Sequence, residues 1–393
     1  MIESILSESE TCLSDPKLIN DTFRSFYTKL YKSENTNNVK SPIEAFFSET
    51  NLPTISQDSR LKLNAPISAP ELHQAINHFQ TGKVPGGDGL GSEFYKEFQN
   101  LLIEPMLNMF NHSFEFGTIP PSLREANISL IHKKGKPSEE CGSYRPISLL
   151  NVDLKILSKV LAIRLENLLP LIAKEDQTGF IKGRNSYNNV RRILNIIQLS
   201  DQKALDGLVI SLDAEKAFDR VEWSYLFLTL QKFGLGDGFI NWIKVLYTQP
   251  LAAVRTNGLR SANFVVQRGC RQGCPLSPLL FVLAIEPLAE YIRQDPLMIG
   301  LDLGGKSHKI TLYADDVLLF LRNPSLSVPR LSQIMTRFAA FSGYKINVSK
   351  SEAMPLGNVQ QQPDSPNPFP FKWSPEGLIY LGIHITPKFN QVF

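Results

Sequence analysis

The stretch from Ile310 to Leu321 constrains this chain most. Two apolar runs, Ile310-Thr311-Leu312 and Val317-Leu318-Leu319-Phe320-Leu321, meet at Tyr313-Ala314-Asp315-Asp316. Uncharged, β-favouring residues around a short polar interruption predict a strand, a tight turn and a second strand. Neighbouring carboxylates repel, and a fold that concentrates them commonly holds a divalent cation. Aspartate also tolerates turn dihedrals, so an acidic turn without a ligand is the competing reading.

Composition narrows the class. A chain of 393 residues with 42% hydrophobic and 20% charged residues can bury a large core in one or two domains. The net charge of +3 says little, but residues 124–192 hold 13 Lys/Arg against 7 Asp/Glu. Such a stretch is either a phosphate-facing surface or a set of solvated helix faces. Four cysteines in this length suggest a reducing compartment without a disulfide framework. The polar start Met1-Ile2-Glu3-Ser4 lacks the layout of a secretory signal, and the apolar run Leu279–Ile285 is too short to span a bilayer.

Residues 1 to about 65 are polar, with an amphipathic patch at Phe23, Phe26, Tyr27, Leu30 and Tyr31, and read as a helical lead-in or linker. Helices are expected over Glu71–Phe79, Glu93–Phe116, Leu149–Leu169, Val190–Leu199 and Phe239–Leu246. Strands are expected over Asn127–His132 and Leu208–Leu212, with a basic turn at residues 133–136. Ser277 is placed to cap a helix whose first position is Pro278. Leu331, Ile334, Met335, Phe338 and Phe341 form an apolar stripe stopped by Gly343, and residues 357–370 read as a Pro/Gln-rich loop. A hairpin and an isolated strand flanked by helices point to an α+β sheet domain.

A second acidic segment, Leu212-Asp213-Ala214-Glu215-Lys216-Ala217-Phe218-Asp219, begins where the strand 208–212 ends. Asp213 could meet Asp315 and Asp316 and hold two Mg²⁺ ions for phosphoryl transfer. Read alone, Asp213 is more often a helix cap, Asp219 a local cap or a partner of Arg220, and Phe218 a core residue. The run Gly269-Cys270-Arg271-Gln272-Gly273-Cys274 is a loop whose glycines permit close backbone approach to a ligand.

Taken in order, Tyr144-Arg145-Pro146-Ile147-Ser148, Gln177-Thr178-Gly179-Phe180, Asp213 with Phe218, Gln272-Gly273, Tyr313-Ala314-Asp315-Asp316 and Tyr380-Leu381-Gly382-Ile383 resemble a reverse transcriptase. The similarity, closest to the non-LTR (LINE-type) branch, runs over residues 75–386. It implies a right-hand polymerase fold with helix-rich fingers, a small antiparallel palm sheet and no thumb. It also implies an RNA-directed DNA polymerase that extends a DNA primer on an RNA template from deoxynucleoside triphosphates. A catalytically inactive, nucleic-acid-binding remnant is the alternative.

By that resemblance Asp213, Asp315 and Asp316 are the metal-binding catalytic aspartates, for Mg²⁺ with Mn²⁺ as an alternative. Phe218 is the gate against a ribose 2′-hydroxyl, while Gln272 and Gly273 lie against nucleotide and template. Lys133 and Arg145 neutralise the triphosphate, and Lys350, with Lys345 nearby, protonates the leaving pyrophosphate. Tyr380, Leu381 and Gly382 belong to the hairpin that grips the primer. The implied division is a lead-in over 1–74, fingers over 75–205, palm over 206–356 and loop plus primer hairpin over 357–393, with the reverse transcriptase domain proper over about 112–386. No endonuclease-like segment precedes residue 75, and the chain runs ten residues past Ile383. A fragment of a mobile element's reading frame is therefore expected, acting without a membrane and, by family habit, in the nucleus.

Overall fold

The computed structural model describes residues 1–35, 39–359 and 370–388. Its centre is the strand Gly207–Leu212, where a run of branched aliphatic residues satisfies two apolar surfaces at once. Leu208, Ile210 and Leu212 face the main core, while Val209 turns to a second cluster with Ile193, Ile197, Leu318, Phe320 and Met354. This period-two alternation leaves no solvent face, as a central strand requires. The strand pairs antiparallel with Asp316–Leu321 on one side and Glu352–Leu356 on the other. Ile310–Tyr313 and the parallel strand Lys372–Trp373 complete the sheet at its two edges.

A second sheet is built on Glu125–His132, which pairs antiparallel with Tyr144–Leu149 and parallel with Leu251–Thr256. The helix Pro16–Leu30 covers it. Asp15 caps that helix by accepting from the Lys17 and Leu18 amides, and Ile19, Phe23, Tyr27 and Leu30 bury against Ile128, Ala252, Val254 and Phe264. The two sheets, flanked by helices, make the chain α+β, and no described helix is long and apolar enough to cross a membrane.

Several sequence expectations shift. The helix expected over Glu93–Phe116 divides at Phe98 into Ser92–Glu97 and Gln99–Phe116. Val190–Leu199 extends to Ser186–Lys203, and Leu149–Leu169 shortens to Val152–Glu166, because Leu149 is still paired with Asn127 in the sheet. Ser277 is not a cap: it is the first helical residue of Ser277–Gln294, with Leu276 in the flanking position. That helix is buried from Leu279 to Ile292 and apolar there except for Glu286 and Glu290, which pair with Arg293. Of the loop expected over 357–370, residues 360–369 lie outside the described residues.

The opening segment is no detached linker. Phe46 packs among Tyr291, Phe338 and Phe341, and one continuous core runs from Ile43 to Phe371. After the first helix the chain is fastened by ions: Glu34 pairs with Arg268 at 3.0 Å, Arg220 at 3.2 Å and Lys345 at 2.6 Å. Burial pushes the Glu34 carboxyl up, but the hydrogen bonds and charges of Lys345 and Arg268 together outweigh it and hold the carboxyl at about 2. Arg268, itself 2% exposed, also pairs with the buried Glu222 at 3.2 Å and donates to Leu30 O at 2.8 Å. Substituting Arg268→Ala leaves Glu222 buried without its cation and should cost about 3 kcal/mol of unfolding free energy, measured by urea denaturation. A loss near zero would show that the pair does not fasten the segment.

Candidate functional site

The strand register assembles the acidic end of the first sheet. Leu212 pairs with Val317, so the next position sets Asp213 level with Asp316. Tyr313 pairs with Asp316 across the turn, which leaves Ala314 and Asp315 at its tip. Asp213 leaves the strand under restraint: its amide donates to Ser351 Oγ at 3.0 Å, and its carbonyl accepts from Asn347 N at 2.7 Å. The expected meeting of Asp213 with the 315–316 tip is thus a consequence of hydrogen-bond pairing between neighbouring strands.

The tip is strained and held. Ala314 adopts φ 54°, a left-handed conformation that is costly for a residue with a side chain. Gln177, fully buried, fixes it with one oxygen, accepting from Ala314 N at 3.1 Å and Gly179 N at 2.9 Å. Gly179 has to be glycine, since a Cβ there would stand 2.3 Å from Ala314 N. Thr178 N and Asn189 Nδ2 both donate to Leu312 O, at 2.9 and 2.8 Å, just before the turn. The motif containing Gln177 is visible in the sequence, but its role as a clamp needs the fold.

Electrostatics mark the three carboxylates as one group. Burial, and then like-charge repulsion from Asp315 and Asp213, together raise Asp316 to about 6. Burial also raises Asp315, with Asp213 adding and Arg145 opposing. Asp213 is raised by burial while Lys350, Lys133 and Lys136 pull it down. Asp213 and Asp316 remain solvent-accessible, so this enclosed, acidic corner is open to a cation. Among the described residues, no three His, Cys, Asp or Glu side chains stand together as a group that could hold a metal ion.

A basic rim faces the carboxylates. Lys133 donates to Gly142 O at 3.1 Å, and its ammonium is lowered first by burial and then by Arg145 and Lys350. The charge of Lys350 acts on both Lys133 and Asp213, whereas Lys345 is engaged with Glu34. Phe218 stacks on Phe281 at 4.3 Å between ring centres, and exposed Phe180 meets it edge-on at 6.3 Å. This half-buried Phe218 is held by the core, and Phe180 links it to the turn, lying 6.5 Å from Tyr313 between ring centres.

The Gln272-Gly273 loop rests on the second sheet. Gln272 O accepts from Ser148 N at 2.7 Å, and a Cβ on Gly273 would come 2.4 Å from Ser148 O. Asp219 corrects a sequence expectation: it does not pair with Arg220, whose guanidinium turns to Glu34 and Glu215. Asp219 is 2% exposed and instead accepts from Tyr31 and Gln272. Neither sequence distance nor local pattern signals that Tyr31 belongs to this corner.

The Leu378–Tyr380 and Ile383–Ile385 strands form the expected hairpin, turning at Leu381 and Gly382 with φ 49° and 81°. Tyr380 is buried, and its hydroxyl accepts from Asn189 Nδ2 at 3.0 Å, so it anchors a hairpin that leaves Ile379, Gly382 and Ile383 exposed. Substituting Gln177→Ala strands the Ala314 and Gly179 amides and should cost about 3 kcal/mol. Amide hydrogen exchange should quicken across 313–316, and unchanged protection there would refute the clamp.

Comparison with known proteins bears on this geometry. Residues 131–385 match the family described as reverse transcriptase (RNA-dependent DNA polymerase). The chain is 33% identical over 98% of its length to a transposon TX1 uncharacterized 149 kDa protein of Xenopus laevis. It is 28% identical over 68% of its length to a retrovirus-related Pol polyprotein from the type-2 retrotransposable element R2DM, and 29% identical over 70% to a probable RNA-directed DNA polymerase from transposon BS, both of Drosophila melanogaster. It spans 29%, 24% and 30% of those three proteins respectively. The chain belongs to the reverse transcriptase family, in its non-LTR, LINE-type retrotransposon branch.

Proposed function

We propose that this chain carries the chemical centre of an RNA-directed DNA polymerase, which adds deoxynucleotides to a DNA primer annealed to an RNA template. The observation that carries the reading is the register of Leu212 against Val317, which sets Asp213 level with the Asp315-Asp316 turn. In this reading the sheet around Gly207–Leu212 is the palm, and the sheet around Glu125–His132 with its helices is the fingers.

Reverse transcriptases use divalent metal ions, and two Mg²⁺ are assigned here to Asp213, Asp315 and Asp316. The fit rests on the register that sets Asp213 level with Asp316, on the exposure of both carboxylates, and on the like charge that raises Asp315 and Asp316. When bound, the ions would supply charge that lowers the pKa of the primer hydroxyl and steadies the leaving pyrophosphate.

The chain's own residues do the rest. Arg145 presents a planar guanidinium suited to a triphosphate oxygen pair, and Lys133 adds a second charge from the adjacent strand end. Lys350, within electrostatic reach of Asp213, is placed to give a proton to the departing pyrophosphate. Phe218, immobilised on Phe281, excludes a ribose 2′-hydroxyl by occupying its space. The Gln272-Gly273 loop lies against nucleotide and template, and the Leu381-Gly382 tip reaches the primer while Tyr380 anchors it.

Primer extension on an RNA template with Mg²⁺ tests this directly. Each of Asp213→Asn, Asp315→Asn and Asp316→Asn should slow incorporation by roughly a thousandfold, about 4 kcal/mol of transition-state stabilisation. Incorporation indifferent to Asp315→Asn would sink the assigned mechanism. Phe218→Ala should reduce discrimination against ribonucleotides by roughly tenfold, read from competing incorporation, and unchanged discrimination would remove the gate.

A further inference from the structure

Asp219 lies outside the acidic turn, yet it is one of the most enclosed carboxylates in the molecule, at 2% exposure. Tyr31 Oη donates to it at 2.9 Å, and Gln272 Nε2 lies 3.2 Å from each of its oxygens. An ionised carboxylate accepts hydrogen bonds and donates none. The amide of Gln272 therefore has to turn Nε2 toward Asp219, which leaves Oε1 as its end for a ligand. Nothing intrinsic to a glutamine amide makes that choice.

The partners of this carboxylate are themselves immobilised. Tyr31 ends the helix Pro16–Leu30, is 6% exposed and stacks with Tyr27 and Phe264. Its carbonyl accepts from Gln267 N at 2.9 Å, so the residue that grips Asp219 also grips the approach to the Gln272 loop. A Cβ on Gly269 would come 2.7 Å from Asp219 O, so loop and carboxylate pass in backbone contact. The next amide, of Cys270, donates to Phe218 O at 2.7 Å.

We propose that Asp219, held by Tyr31, is a positioning residue that fixes the orientation of the Gln272 amide and presents its Oε1 to the incoming nucleotide. The first helix then belongs to the nucleotide site although it touches no nucleotide. This inference rests on the polymerase reading above for the role of Gln272.

The test uses the full chain with an RNA template and a primer ended in a dideoxynucleotide, so that binding is read without chemistry. The dissociation constant of a fluorescent deoxynucleoside triphosphate is the measurement. Asp219→Asn can keep the Tyr31 bond through Oδ1 and then turns Nδ2 toward Gln272, which inverts the amide. Affinity should fall about tenfold in Asp219→Asn and about threefold in Tyr31→Phe. Neither change should weaken binding further on a Gln272→Ala background, since the group being oriented is gone. A merely structural role would weaken both backgrounds alike.

Equal loss on both backgrounds, or unchanged affinity, overturns the proposal. Should Asp219→Asn not fold by circular dichroism, Tyr31→Phe carries the same comparison. Extension of an unblocked primer is scored separately. A wild-type chain that binds nucleotide without extending defeats the polymerase reading and leaves this comparison standing. A wild-type chain that binds no nucleotide overturns both.

Discussion

The pairing of Gly207–Leu212 with Asp316–Leu321 is the constraint on which the site depends. In a strand, a slip of one residue turns every side chain to the opposite face. Here both faces are buried, with Leu208, Val209 and Ile210 each fully enclosed, so a slip would misplace side chains whose burial is worth about 1.5–3 kcal/mol each. Repulsion between two carboxylates about 4 Å apart costs roughly 1–4 kcal/mol at solvent-like to surface dielectric. Packing therefore outweighs the repulsion, and the apolar register holds Asp213 beside an acidic turn it would otherwise avoid.

Around this sheet the polar groups serve as fasteners between segments distant in sequence. Gln177 spends its side-chain oxygen on two amides that keep a left-handed Ala314 in place. Glu34 and Glu222 gather Arg268, Arg220 and Lys345 where the first helix meets the rest of the chain. Buried charges of this kind add modest net stability because desolvation offsets attraction, but removing one partner is costly. Their effect is to specify which segments lie together. The opening residues, Tyr31 in particular, are drawn by these contacts into the corner that holds Asp219 and Gln272.

Much of the site was legible because its chemistry is local. Asp315 and Asp316 announce themselves as adjacent acids in an apolar frame, and Gly273 as a residue that must pass close to backbone. The strand 208–212 was legible because a run of branched apolar residues permits little else. What stayed hidden depended on sequence-distant partners. Leu251–Thr256 has a mixed pattern that becomes a strand only beside Glu125–His132. Asp219 looked like a partner for its neighbour Arg220 until Tyr31 and Gln272 took its carboxylate and Glu34 took the guanidinium. The resemblance puts Tyr380 in a hairpin, which forms, but not the enclosure of its hydroxyl against Asn189.

By itself, the amino-acid order determined which residues could do chemistry and which runs had to be buried, because charge, backbone freedom and hydrophobic period belong to the residues themselves. Tertiary structure decided which of those residues stand together. It engaged Lys345 with Glu34, gave Gln177 the turn, and tied Tyr31 through Asp219 to Gln272. The reason is that hydrogen bonds and ion pairs act over a few ångströms, and only packing of the whole chain brings residues hundreds of positions apart within that range.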